Sequence, residues 1–125
     1  MADFWMDKEE QDFFMSFIEK KHNLLEYGSG HSTVYLQDKV DKLVSVEHSS
    51  IWYETIKKQI KDNVEYLLVP PDNPHWEEQY KIVINGEQKS LVKNFKADDG
   101  GFEDFISYAM APLNTGVKFD RVFVD

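Results

Sequence analysis

Leu24-Leu25-Glu26-Tyr27-Gly28-Ser29-Gly30-His31-Ser32-Thr33 is the stretch that decides the fold. Asn23 to Tyr27 is short, largely apolar and runs directly into Gly-Ser-Gly, which reads as a buried strand entering a tight turn. A short helix is predicted next, over Ser32 to Asp38. Strand, glycine turn and helix in that order form the first half of a parallel crossover.

The same alternation continues outward on both sides. Lys42 to Glu47, with Leu43, Val44 and Val46, reads as a second strand. Ser49 or Ser50 can cap the next helix, Ile51 to Lys61, in which Trp52, Ile56 and Ile60 recur every four residues. Val64 to Val69 is a third strand, stopped by Pro70-Pro71. Upstream, Asp7 to Lys21 reads as a helix with Phe13, Phe14, Phe17 and Ile18 at helical spacing and acids near its start. Downstream, Tyr80-Lys-Ile-Val-Ile, Asn85-Gly86 and a run containing Leu91 and Val92 predict a β-hairpin, an insertion over 73–97. Phe102, Phe105, Ile106, Ala109 and Met110 form a last helix face, ended by Pro112. Phe119 to Val124 is a fourth strand, followed by Asp125. The expectation is an α/β fold, a mostly parallel sheet with helices on both faces.

Composition sets the class. The 125 residues carry 42% hydrophobic and 14% aromatic residues, enough for one domain with a core. No run reaches the roughly 18 apolar residues of a membrane span, and the start lacks the plan of a secretory signal. The absence of cysteine excludes disulfides and thiolate metal sites and fits a reducing cytoplasm. With 14 Lys and Arg against 23 Asp and Glu, and Arg121 the lone arginine, no basic stripe exists for a nucleic-acid backbone. His22, His31, His48 and His75 show no metal-ligand spacing, and no nucleophile signature such as Gly-x-Ser-x-Gly is present.

The chemistry is expected at the carboxyl ends of the strands, where sheets of this kind bind ligands. Those ends carry Glu26-Tyr27-Gly28-Ser29-Gly30, Glu47-His48, Pro71-Asp72 and Asp125. Glu47 lies 19 positions beyond Gly28, about the spacing at which an acid accepts both ribose hydroxyls of a nucleoside. A dinucleotide needs a third small residue where this chain has Thr33. A carboxylate at Glu26 repels a pyrophosphate and favours a cationic group, as in S-adenosylmethionine, which has no phosphate and carries ammonium and sulfonium charges. Glu26 and Glu47 are expected to face a common hollow. Asp72 also reads as a turn former beside two prolines, and Asp125 as a frayed terminus.

Leu24 to Thr33 resembles the first motif of class I S-adenosylmethionine-dependent methyltransferases. Leu43-Val44-Ser45-Val46-Glu47-His48, with Trp52-Tyr53, resembles their second strand and following helix, and Phe119 to Asp125 their fourth-strand motif. The resemblance implies a Rossmann-like sheet of order 3-2-1-4, methyl transfer to an acceptor, and S-adenosylmethionine as cofactor. By position it implies Glu26 at the methionine ammonium and Gly28 and Gly30, in the loop with Tyr27 and Ser29, along the methionine and ribose. It further implies Glu47 on the ribose, His48 beside the adenine, Asp72 near the adenine amino group, and Asp125 at the methionine end. The family's sheet has seven strands, whereas this chain stops after the fourth. Val122, Phe123 and Val124 look apolar on both faces with nothing following to cover them. A partial domain over 1–125 is therefore expected, or a second copy pairing with the fourth-strand edge. The alternative to an enzyme is a non-catalytic half-domain acting through that edge. A nucleotide-binding oxidoreductase is disfavoured by Glu26 and Thr33.

Overall fold

A computed structural model describes residues 6–73 and 104–124. Four strands form one parallel sheet of order β3-β2-β1-β4: β1 (Asn23–Tyr27), β2 (Lys42–Glu47), β3 (Val64–Leu68) and β4 (Arg121–Val124). The helices are α1 (Lys8–Met15), α2 (His31–Leu36), α3 (Ser50–Lys57) and α4 (Ile106–Met110), the last continued by a 3-10 turn, Ala111–Asn114. This is the expected α/β, Rossmann-like arrangement. The hairpin predicted over 73–97 lies, beyond Asn73, outside the described residues, as does Asp125. Among the described residues no helix is long and apolar enough to cross a membrane.

β1 and β2 match their predicted limits because both are central and covered on two faces, so the apolar run itself marks the strand. α1 is shorter than predicted. The Ser16 hydroxyl donates to the Phe13 carbonyl at 2.5 Å, and Phe17 and Ile18 make i→i+3 bonds to Phe14 and Met15. These tighten the chain out of the α-helix after Met15. Only part of the apolar stripe faces inward: Phe14, Met15 and Ile18 pack on the sheet, while Phe13 and Phe17 are exposed. α3 is capped by Ser49, whose Oγ accepts from the Trp52 N–H, and of its stripe only Ile56 is fully buried. β3 ends at Leu68, one residue short of the predicted Val69, and Pro70 offers no N–H to extend the ladder.

The period-two alternation of the strands divides the sheet into two faces. On one, Leu24, Leu43 and Val64 lie in register, packed with Leu36 and Val40 and covered by Phe14, Met15 and Ile18 of the α1 region. On the other, Leu25, Val44 and Val46 pack against Tyr108, Ala111, Val117 and Phe119. Each fully buried leucine contributes roughly 1.5–3 kcal/mol. Two positions further along the first face the apolar layer gives way to Glu26, Ser45 and Tyr66, again in register. That change from apolar to polar positions the candidate site.

Candidate functional site at the carboxyl ends of the strands

Gly28 has φ +85°, a conformation that side chains with a Cβ rarely adopt, and its N–H still reaches the Val46 carbonyl at 2.9 Å. The chain therefore leaves β1 abruptly and turns toward β2. Gly30 is extended, and a methyl group there would meet the Trp52 indole at 3.4 Å, an ordinary contact. Gly28 is thus the glycine that the turn requires. The Trp52 Nε1–H donates to the Ser29 carbonyl at 2.5 Å, and the Gly30 N–H donates to Thr33 Oγ1 at 3.0 Å. Both polar atoms of the Ser29–Gly30 peptide are thus held, and the Gly28 N–H anchors the start of the loop.

Beneath it lie the two carboxylates. Glu47 is 3% exposed. Its Oε1 accepts from the Ser29 N–H at 2.9 Å and the Ser29 hydroxyl at 2.6 Å. Its Oε2 accepts from the His48 and Ser49 N–H groups, both at 3.0 Å. A carboxylate offers about four acceptor positions, so all are taken. Glu26 has no exposed surface. It accepts from the Ser32 hydroxyl at 2.6 Å, the Ser45 hydroxyl at 2.8 Å and the Thr33 hydroxyl. Thr33 thus links the Gly30 amide to Glu26. The carboxylates do not open on a common hollow as expected: both lie on one face under one loop, with hydroxyl groups on Glu26 and one hydroxyl and three backbone N–H groups on Glu47.

Tyr66 extends this network. Its OH lies 2.5 Å from Ser29 Oγ. The single Ser29 hydroxyl proton is given to Glu47, so Tyr66 must be the donor of that pair. Burial pushes its phenol well above its ordinary value, the Ser29 hydrogen bond opposes this, and the charges of Glu47 and Glu26 add to it. Tyr66 therefore keeps its proton, and the relay from Tyr66 through Ser29 to Glu47 stays intact at neutral pH.

An open cavity of about 430 Å³ lies on the opposite face, where β1 and β4 adjoin. Tyr27 and Val124, register partners at the strand ends, line it with His48, Phe105, Tyr108 and Ala109. The Tyr27 hydroxyl donates to the Ala109 carbonyl at 2.6 Å, which fixes the ring. Neither Glu26 nor Glu47 lines this cavity. The sheet order reverses between β1 and β4, the position at which open parallel sheets bind ligands.

Asp72 acts from a distance on this cavity. Its carboxylate accepts from the Ser107 N–H at 2.8 Å and the Ser107 hydroxyl at 2.5 Å, and its own N–H donates to the Asp104 carbonyl at 2.7 Å. It caps the start of α4 and so seats Tyr108. These hydrogen bonds, the Ser107 side chain first, hold the Asp72 carboxyl below its ordinary 3.8. A lowered folded value means stability that is complete above the unfolded value and lost as pH falls through the folded one. Asp72→Ala is therefore expected to lower the thermal midpoint at pH 7, with the gap from the parent narrowing as pH falls below the ordinary 3.8. Calorimetric melts across that range check this, and a gap independent of pH would exclude the carboxylate as its source.

Of the predicted residues, the fold brings Glu26, Gly28, Ser29, Gly30 and Glu47 together under the loop. Tyr27 and His48 fall on the cavity wall, and Asp72 is tied to α4. Sequence reading missed Ser32, Thr33, Ser45 and Tyr66 as partners of the carboxylates, and Phe105 and Tyr108 as cavity walls. The signal for Ser45 was present: it is the polar residue inside Leu43-Val44-Ser45-Val46, on the alternation that leads to Glu47.

No protein-family profile, curated protein or solved structure matches this chain.

Proposed function

We propose that this chain is an S-adenosylmethionine-binding, methyltransferase-like domain that transfers a methyl group to an acceptor. The observation that carries the proposal is Glu47, a carboxylate at the end of β2 seated directly on the Gly28–Gly30 loop that follows β1. The donor set fits the cofactor. Ser29 occupies Glu47 with a hydroxyl, a group that a ribose hydroxyl replaces in kind. When bound, S-adenosylmethionine supplies an electrophilic methyl group on sulfur. The protein's own contribution is to bind and orient: Glu47 holds the ribose, the loop lines it, and His48 and Asp72 bound the adenine side. Glu26 shapes the loop through Ser32 and Thr33. It meets an ammonium group when one of those hydroxyls turns away. Asp125 is assigned to the methionine end. The lack of cysteine fits action in a reducing cytoplasm.

Titration calorimetry with S-adenosylmethionine and with its demethylated product tests the proposal. Saturable heat with both ligands is expected. Folded protein that gives none overturns it. A second reading is favoured by β4, whose Val122 and Val124 are 55% and 71% exposed: assembly through that edge without catalysis. Light scattering on the same sample separates the two. A stable oligomer without cofactor affinity supports assembly, and a monomer that binds cofactor supports the enzyme.

A further inference from the structure

The cavity between β1 and β4 is walled by four rings that meet at steep angles. His48 lies 5.2 Å from Phe105 and 5.5 Å from Tyr108 between centroids, at 65° and 76°. Phe105 and Tyr108 are 6.0 Å apart at 68°, and Tyr27 and Tyr108 5.3 Å apart at 53°. Rings inclined in this way enclose a space rather than stack into a slab. Tyr27 is locked by its bond to Ala109 and Tyr108 is seated by the Asp72 cap, so the walls are preorganised. Among the described residues, no acid, lysine or arginine lines the cavity.

The electrostatics at this place are negative. Burial first, and then the charge of Glu47 behind the sheet, raise the Tyr108 phenol above its ordinary value. Tyr27 and Glu26 push in the same direction, against a hydrogen bond from the Gly28 backbone. The whole chain carries a net charge of −9. Aromatic faces attract a cation through their quadrupole within about 6 Å of the ring centre, most strongly where water is excluded. A neutral apolar ligand gains nothing from the field of two carboxylates, whereas an organic cation gains from both the field and the rings.

We propose that the cavity lined by Tyr27, His48, Phe105 and Tyr108 is a recognition site for a small alkylammonium cation. Under the methyltransferase reading, on which this assignment of a role rests, the methyl acceptor is then an alkylamine held as its ammonium: it releases one N–H proton to solvent, and its nitrogen lone pair takes the sulfonium methyl as the C–S bond breaks to leave the neutral thioether. The binding site itself stands on the cavity and its rings alone.

Choline and its neutral isostere 3,3-dimethyl-1-butanol are the probes, titrated at pH 8 without cofactor and followed by NMR of the aromatic and imidazole resonances. Choline is expected to shift the cavity resonances saturably and to bind about tenfold more tightly than the isostere. Tyr108→Leu and Phe105→Leu are each expected to abolish that discrimination, and Tyr108→Phe to retain it. Two variants from different positions guard against misfolding of one. Equal affinities for the two probes, or shifts confined to residues outside the cavity, overturn the proposal. Choline discrimination in protein that binds no S-adenosylmethionine leaves the cation site standing and removes the methyltransferase role. Cofactor binding without discrimination does the reverse.

Discussion

Glu26→Ala is expected to destabilise the protein by about 3 kcal/mol or more, because three hydroxyl groups lose their acceptor where no water reaches them. Each stranded buried donor costs roughly 1–3 kcal/mol, against a total stability of roughly 5–15 kcal/mol for a domain of this kind. The loss exceeds that of a surface carboxylate because Ser32 and Thr33 begin α2, Ser45 belongs to β2, and Glu26 accepts from all three. Thr33 also fixes the Gly30 amide, so the loop loosens with the network. Urea unfolding measures the effect. Glu26→Gln, which keeps the volume and one acceptor oxygen, is expected to fall between the parent and the alanine variant. A loss of less than about 1 kcal/mol for the alanine variant would show that the hydroxyls find other partners.

Glu47→Ala is expected to weaken binding of S-adenosylmethionine about 100-fold. One ribose hydroxyl bonded to the carboxylate in place of the Ser29 hydroxyl is a charge-assisted contact of roughly 1.5–3 kcal/mol, and about 2.7 kcal/mol corresponds to that factor. The variant also releases four protein donors, so circular dichroism must first confirm a folded sample. A dissociation constant equal to the parent's would remove Glu47 from the ligand site and with it the principal support for a nucleoside.

The legible part of this molecule is the part governed by periodicity. β1 and β2 were readable to the residue because apolar runs between polar breakers leave a central strand little freedom. The parallel sheet followed from the alternation of strands and helices, and its order from the resemblance. The end of α1 was not readable, since a serine that bonds back to its own helix leaves the hydrophobic spacing unchanged. Nor does spacing say which side of a stripe is buried, and Phe13 and Phe17 proved to be exposed.

At the site, glycine, acid and separation in the chain located Glu26 and Glu47 correctly at adjoining strand ends. The hydroxyl layer stayed hidden because Ser32, Thr33 and Ser45 acquire meaning only from register: Ser45 stands beside Glu26 solely because β1 and β2 pair as they do. Nothing in the local sequence singles out Tyr66 or Tyr108, and only the fold places one on a carboxylate relay and the other at a cavity wall. Asp72 was legible as a turn residue; its partner Ser107 lies 35 positions away, beyond the reach of any local rule.

The place of β4 beside β1 has a consequence for biosynthesis. Asp120, just ahead of β4, bonds the backbone of Asn23 at the start of β1, 97 positions earlier in the chain. At roughly 5–20 residues per second, the ribosome needs roughly 5–20 s to deliver one partner after the other. β2 and β3 emerge early and can dock meanwhile, but the other flank of β1 stays unpaired until β4 follows. Slow codons between the two partners would lengthen the time for which the backbone groups on that flank have no ladder partner.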